Sequence, residues 1–244
     1  MTNKDETSQG KLVTEDMLEG LPAPVHRYLN YTGVVGKPWV RTVHLKQTGR
    51  FRQALERPWM PMVAEQSYTT DPPGFVWNAR FKVGGLSLLR ARDKYEAGHG
   101  QMYGKLAGLF KVFDVRGDEL DQGTMVRYLS EMIWFPPAFL GDNIAWAGVD
   151  DHTAQVTFTD HEKSVSAHMH FDEIGKLTNF TAERYREIDG EFSLDPWSTP
   201  ITNYGLHTGL NLPVGGQAAW NLPEGDLMYV ELQIIELQYN SPLI

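Results

Sequence analysis

A repeating period of two constrains this chain more than any other feature. Apolar residues dominate one parity in Val43-x-Leu45-x-Gln47-x-Gly49-x-Phe51, while Thr42, His44, Lys46, Thr48 and Arg50 take the other. The pattern returns in Phe75/Trp77/Ala79/Phe81, Leu89/Ala91/Asp93/Tyr95 and Ala154/Val156/Phe158. Val165/Ala167/Met169/Phe171, Val214/Gly216/Ala218/Trp220 and the stretches 101–106, 177–186 and 227–239 continue it. Successive side chains of a strand point to opposite faces, so each segment offers one apolar face to a sheet. Asp71-Pro72-Pro73-Gly74, Asp160-His161-Glu162, Asp172-Glu173-Ile174-Gly175 and Pro223-Glu224-Gly225 supply turns between them. Short strands joined by such turns read as an antiparallel meander.

Two segments change the period. Over 13–36, Thr14 is a candidate N-cap, and Met17, Leu18, Leu21, Val25, Tyr28 and Leu29 follow helical spacing around Pro22 and Pro24. This stretch reads as a helical cap. Over 117–140, Leu120, Met125, Tyr128, Leu129, Met132 and Ile133 suit a central helix broken near Gly123 and ended by Pro136 and Pro137. The expected fold is therefore mainly β: a strongly curved antiparallel sheet or half-open barrel of about ten to eleven strands wrapping a central helix, with an N-terminal helical segment. Residues 1–12 read as a disordered polar tail and 13–244 as a single β-rich domain, since no linker or repeat divides them.

Composition removes several classes of function. The chain of 244 residues has 22 basic and 31 acidic residues, a net charge of −9, which argues against nucleic acid or an anionic membrane as the main partner. With no cysteine, disulfides, thiolate nucleophiles and Cys-ligated zinc are excluded. The longest apolar stretch, 132–140, is short and holds two prolines, so no transmembrane segment is expected. The start, MTNKDETSQGKLVTEDM, has no apolar core of a signal peptide, which makes the cytoplasm the expected location. No glycine-rich phosphate loop and no Gly-x-Ser-x-Gly elbow occurs, and no cofactor is expected.

Several stretches resemble an uncharacterised bacterial family known only as a domain of unknown function. They are Leu21-Pro-Ala-Pro-Val-His-Arg-Tyr-Leu29, Trp59-Met-Pro-Met-Val-Ala-Glu-Gln66, Pro73-Gly-Phe-Val-Trp-Asn-Ala79, Arg92-Asp-Lys-Tyr95, Arg127-Tyr-Leu-Ser-Glu-Met-Ile-Trp134 and Trp220-Asn-Leu-Pro-Glu-Gly225. The later part, through Phe171-Asp-Glu-Ile-Gly-Lys-Leu-Thr-Asn-Phe180 and the closing Glu-Leu-Gln-Tyr-Asn240, resembles the open barrels of periplasmic lipoprotein carriers. That second resemblance implies a curved sheet that wraps helices and holds acyl chains.

Asp93 is the most informative residue. Alternation puts it on one face with Leu89, Ala91 and Tyr95, where an ionised carboxylate is costly unless paired. Desolvation would raise its pKa into a range useful for proton transfer, with Tyr95 beside it; the competing reading is a structural hydrogen bond or ion pair. Arg127 and Glu131 stand at i, i+4 on the central helix with Trp134 close behind, either as a structural pair or as ligand contacts in a cavity wall. Trp77 and the other aromatics (7 Trp, 10 Tyr and 11 Phe in all) supply core or an aromatic pocket. Glu65 has ambiguous parity. His168-x-His170 has the spacing of a two-histidine metal pair, but Ser164 and Ser166 share its face, which favours a solvent-facing pair and no metal.

Two functions remain. The first is a binding protein for a hydrophobic or aromatic small molecule, with Trp77, Arg127, Glu131 and Trp134 as ligand contacts. The second is a cofactor-independent lyase or isomerase acting on a hydrophobic carbonyl compound. In it Asp93 is the general acid or base, Tyr95 a proton donor and Arg127 the anchor.

Overall fold

The computed structural model describes residues 10–107, 109–188 and 190–241. A 3-10 turn, Glu15–Leu18, leads into helix α1 (Ala23–Thr32), closed by Gly33 in the left-handed conformation. Six strands follow: β1 (Thr42–Phe51), β2 (Met60–Thr70), β3 (Pro73–Val83), β4 (Leu86–Glu96), β5 (His99–Leu106) and β6 (Phe110–Val115). Helix α2 (Asp118–Glu131) then runs into two 3-10 turns, Met132–Trp134 and Pro136–Leu140. The chain closes with β7 (Ile144–Gly148), β8 (Thr153–Asp160), β9 (Lys163–Phe171), β10 (Leu177–Ile188), β11 (Glu191–Ser198), β12 (Ile201–His207), β13 (Leu210–Leu222) and β14 (Gly225–Tyr239).

All these strands join one antiparallel sheet in the order β6-β5-β4-β3-β2-β1-β14-β13-β11-β10-β9-β8-β7, with β12 paired to β13 beside that path. The last strand thus pairs with the first in the middle of the sheet, and α2 packs against β4 and β5 on one side and β9 and β10 on the other. Among the described residues, fourteen strands exceed the ten to eleven expected. Of those not anticipated, β6 and β7 are the two short edges, where one missing neighbour weakens the selection for an alternating apolar pattern. Polar β11 pairs through Pro196, a residue that reads against a strand in sequence, and β12 begins just beyond Pro200.

The helical readings need smaller corrections. The N-terminal cap is one short turn plus one helix. α2 passes unbroken through Gly123, because burial along most of its length holds the helix where glycine's propensity would not. Residues 1–9 of the expected tail lie outside the described residues, and Leu12 already bridges Pro38. No helix among the described residues is long and apolar enough to cross a membrane.

The antiparallel order gives the sheet two ends. At the base lie the β2–β3, β4–β5 and β9–β10 turns together with α1. Here Val25, Tyr28, Met125, Tyr128, Leu129 and Phe135 pack into the inward faces of the strands. Tyr128 alone stacks near Phe158 (5.2 Å), Phe135 (6.0 Å) and Tyr95 (6.1 Å). At the other end, the mouth, lie the β1–β2, β3–β4, β5–β6, β10–β11 and β13–β14 turns. A second, smaller cluster forms there from Met62, Ala64, Ala79 and Phe81, with Phe51, Met60, Trp77, Leu89 and Ala91 against it. No helical residue belongs to this cluster.

Candidate functional site

Strand register brings the site together. One inward row reads Gln47, Ala64, Ala79, Ala91 and Gly104 across β1 to β5. The next row toward the base reads Gln66, Trp77, Asp93 and Met102. Four of the five residues in the first row are alanine or glycine. A Cβ at Gly104 would stand 2.3 Å from the Phe113 ring, so glycine is required there. Register also resolves Glu65: Met62, Ala64, Gln66 and Tyr68 are buried inward, and Glu65 points out as an exposed side chain.

α2 lays Arg127 across the second row. Its Nη1 donates to Asp93 Oδ2 at 2.5 Å and its Nε to Glu131 Oε1 at 2.9 Å. Its guanidinium sits 4.8 Å from the Trp77 ring centre and 5.0 Å from that of Phe75. Glu131 also accepts from Gln66 Nε2 at 2.8 Å and from the Tyr68 hydroxyl at 3.0 Å. Gln47 accepts from Trp77 Nε1 at 3.0 Å, which fixes the indole. The network is nearly complete, as buried charge demands. One atom is left over: Asp93 Oδ1 is buried with no hydrogen-bond partner. Burial pushes the Asp93 carboxyl above the usual carboxylate range, although Arg127 and Arg184 pull it down.

From Trp77 an arc of rings runs across the mouth. Trp77 meets Phe81 at 6.2 Å, Phe81 meets Phe51 at 5.6 Å, Phe51 meets Tyr229 at 6.1 Å and Tyr229 stacks on Trp220 at 5.9 Å. Arg184 of β10 ends the arc, 4.7 Å from the ring of Trp197 and 5.8 Å from that of Trp220. It donates to the Gly123 carbonyl of α2 at 3.0 Å and to the Tyr229 hydroxyl at 3.2 Å. A guanidinium therefore closes each end of the arc, and Asp93 feels both. They differ in satisfaction. Arg127 holds two carboxylates, whereas Arg184 has none within ion-pair distance among the described residues.

The structure brings Trp77, Asp93, Arg127 and Glu131 together and leaves two expected site residues elsewhere. Tyr95 points into the base, where its hydroxyl donates to Asp160 Oδ2 at 2.5 Å, and His161 holds the other oxygen of Asp160 at 2.9 Å. Trp134 is buried in the base beside Tyr68, and its carbonyl accepts the Tyr239 hydroxyl. His170 lies on the outer face and bonds Thr181 Oγ1 at 2.9 Å. No group of three metal-ligating side chains occurs among the described residues. Sequence reasoning missed Arg184, Phe51, Tyr229 and Trp197. The signal for Arg184 was present: it shares inward parity with Phe180 and Ala182, the same argument that singled out Asp93.

A family model described as a family of unknown function, DUF6544, matches residues 11–232. The chain belongs to the DUF6544 family. Among curated proteins, none matches this DUF6544 chain. Of solved structures, a DUF1329 family protein from Desulfovibrio piger is 10% identical, with a TM-score of 0.50 over 92% of this chain and 95% of that one. A LolA superfamily protein from Nitrosomonas europaea is 7% identical, with a TM-score of 0.47 over 96% of each chain. These are likenesses of fold alone, and the family match agrees with the resemblance to an uncharacterised family.

Proposed function

We propose that this DUF6544 protein binds a hydrophobic small molecule on the inward face of its mouth. The molecule lies along the arc from Trp77 to Trp220 and turns a polar or anionic end toward Arg184. The observation that carries this reading is the mismatch at the two ends of the arc. The guanidinium at one end holds two carboxylates and the one at the other end holds none, and a ligand with an apolar body along the rings and an anionic head would satisfy the second. The lipoprotein-carrier likeness of the fold agrees with an apolar ligand and does not name it.

The test is a titration with a fluorescent long-chain fatty acid, followed by energy transfer from tryptophan. Wild type binds saturably. Arg184→Met weakens binding about tenfold, the scale of one charge-assisted hydrogen bond. Equal affinity of wild type and Arg184→Met for both the acid and its methyl ester would overturn the placement of the head group.

The unpartnered Asp93 oxygen favours one second reading, a lyase or isomerase acting on a hydrophobic carbonyl compound with Asp93 as general acid or base. Tyr95 is held by Asp160 in the base, so proton transfer in this reading rests on Asp93 alone. Asp93→Asn then abolishes turnover while the melting temperature stays close to that of wild type. A large loss of stability with no activity to lose assigns Asp93 to the ion pair only.

A further inference from the structure

The outer face of β3 to β6 carries a charge pattern that the net charge of the chain hides. Residues 80–92 and 103–113 hold six basic side chains and no acidic one, in a chain of net charge −9. Register sets four of them in a row, since Arg80 pairs with Arg90, Arg90 with Lys105 and Lys105 with Lys111. Directly opposed residues in an antiparallel pair stand about 5 Å apart, and like charges there are destabilising. Only Lys111 has a carboxylate within ion-pair distance, Asp114 at 3.6 Å; Arg80, Arg90, Arg92 and Lys105 have none among the described residues. The row borders an outer groove of about 770 Å³ lined by Lys46, Arg80, Arg90, Arg92 and Lys105, with Glu65 as its one acid. Sequence with so little internal compensation is built to meet an external anion.

The adjoining hairpin tips say which kind. Leu109 is 79%, Phe110 68% and Leu86 64% exposed, at the turns where β3–β4 and β5–β6 reverse. Single exposed apolar residues mean little, but three large ones at neighbouring tips are a patch. Lys105 adjoins Leu106, and Lys111 adjoins Phe110, so a strand rise of about 3.3 Å places those cations at the border of the patch. Arg90 lies roughly 13 Å back from Leu86 by the same rise. Apolar tips in front of a cationic band match the layering of a bilayer surface, acyl chains beneath anionic headgroups. A soluble anion would have no use for the tips, and a second copy docked through the same face would set one cationic band against the other.

We infer that the β3–β6 end of the mouth docks on an anionic lipid bilayer, with Leu86, Leu109 and Phe110 entering the interface and the Arg80–Arg90–Lys105–Lys111 row facing the headgroups. Such docking sets the aromatic arc beside the membrane, but it does not require the arc to hold a ligand.

The test is co-sedimentation of the full chain with vesicles of phosphatidylglycerol and phosphatidylcholine, against phosphatidylcholine alone. Binding is expected only to the anionic vesicles, and it weakens as salt is raised. Arg80→Glu with Arg90→Glu lowers partitioning at least about tenfold. Leu109→Asp with Phe110→Asp does the same, whereas Ile174→Asp with Leu206→Asp, exposed elsewhere, leaves it unchanged. All six positions are exposed, so melting temperatures should match wild type. Salt dependence of the wild type keeps the test valid should one variant misfold. No binding to anionic vesicles, equal binding to neutral ones, or an equal loss in the Ile174/Leu206 variant overturns the proposal. Binding that pyrophosphate competes away and the tip variant leaves intact overturns it in favour of a soluble-anion site. Vesicle-free dimers that Leu109→Asp abolishes overturn it in favour of self-association.

Discussion

The base and the mouth of this molecule are built from the same strands and obey different rules. At the base, inward side chains meet α1, α2 and the two 3-10 turns, and nearly every large apolar residue there is sealed. At the mouth the same strands run on beyond the helices. Their inward residues pack on one another as a thin aromatic layer, and their tips present leucine and phenylalanine to solvent. One β4 strand shows the change within a few residues: Tyr95 is locked onto Asp160, Asp93 sits at the boundary with one oxygen unmet, and Leu86 is exposed. Stability is concentrated where helices cover the sheet, and the part they leave uncovered is where we place contact with other molecules.

That contrast can be broken by substitution. Phe158→Ala in the base should cost about 4 kcal/mol in urea unfolding, the cavity cost of a buried ring. Leu86→Ala or Leu109→Ala in the mouth should stay within about 0.5 kcal/mol, as surface changes do. Comparable losses would erase the distinction. At the boundary, Arg127→Met leaves Asp93 and Glu131 buried without their cation and should cost about 3 kcal/mol. A double change of Arg127→Met with Asp93→Leu should recover part of that loss.

pH separates two buried carboxylates near α2 in opposite directions. Asp93 is shifted up by burial, so the folded state holds its proton more tightly than the unfolded chain. Its contribution is fully present below the unfolded pKa and is lost as pH rises through the folded one. Asp121 is shifted down. Burial alone would raise it, but Lys163, the Gly100 N–H and His99 together outweigh burial. Its contribution is present above the unfolded pKa and is lost as pH falls through the folded one. Asp93→Asn should therefore remove a loss of stability on the rising side, and Asp121→Asn a loss on the acid side, in denaturation curves taken across pH. A variant that alters the opposite limb contradicts the assignment. In the aromatic layer, Ala91→Phe should cost about 1–3 kcal/mol, the range for overpacking, and less than the loss of a buried ring. It should also block the fatty-acid titration.

The base was largely legible in the sequence and the mouth only in part, for one physical reason. Where a strand is buried on one face, alternation is enforced. Parity therefore found the inward set Val43, Leu45, Phe75, Tyr95, Val156 and Phe158, and placed Asp93 among them. The edges β6 and β7 and the hairpin arm β11 bury less, so little selects their pattern. Parity also places a residue on a face without saying what lies across the cavity. It put Asp93 and Tyr95 side by side, but α2 gives one to Arg127 and the opposite wall gives the other to Asp160. Net charge is likewise blind to placement. A sum over the chain hides six cations gathered on two hairpins.

The central claim is that the aromatic arc of the mouth holds a hydrophobic molecule, and native mass spectrometry with solvent extraction of the gently purified protein tests it most directly. The account predicts a bound apolar species in the wild type that is absent from the Ala91→Phe protein. A wild type that is consistently empty, and that fails to take up any long-chain acid added in excess, would contradict it.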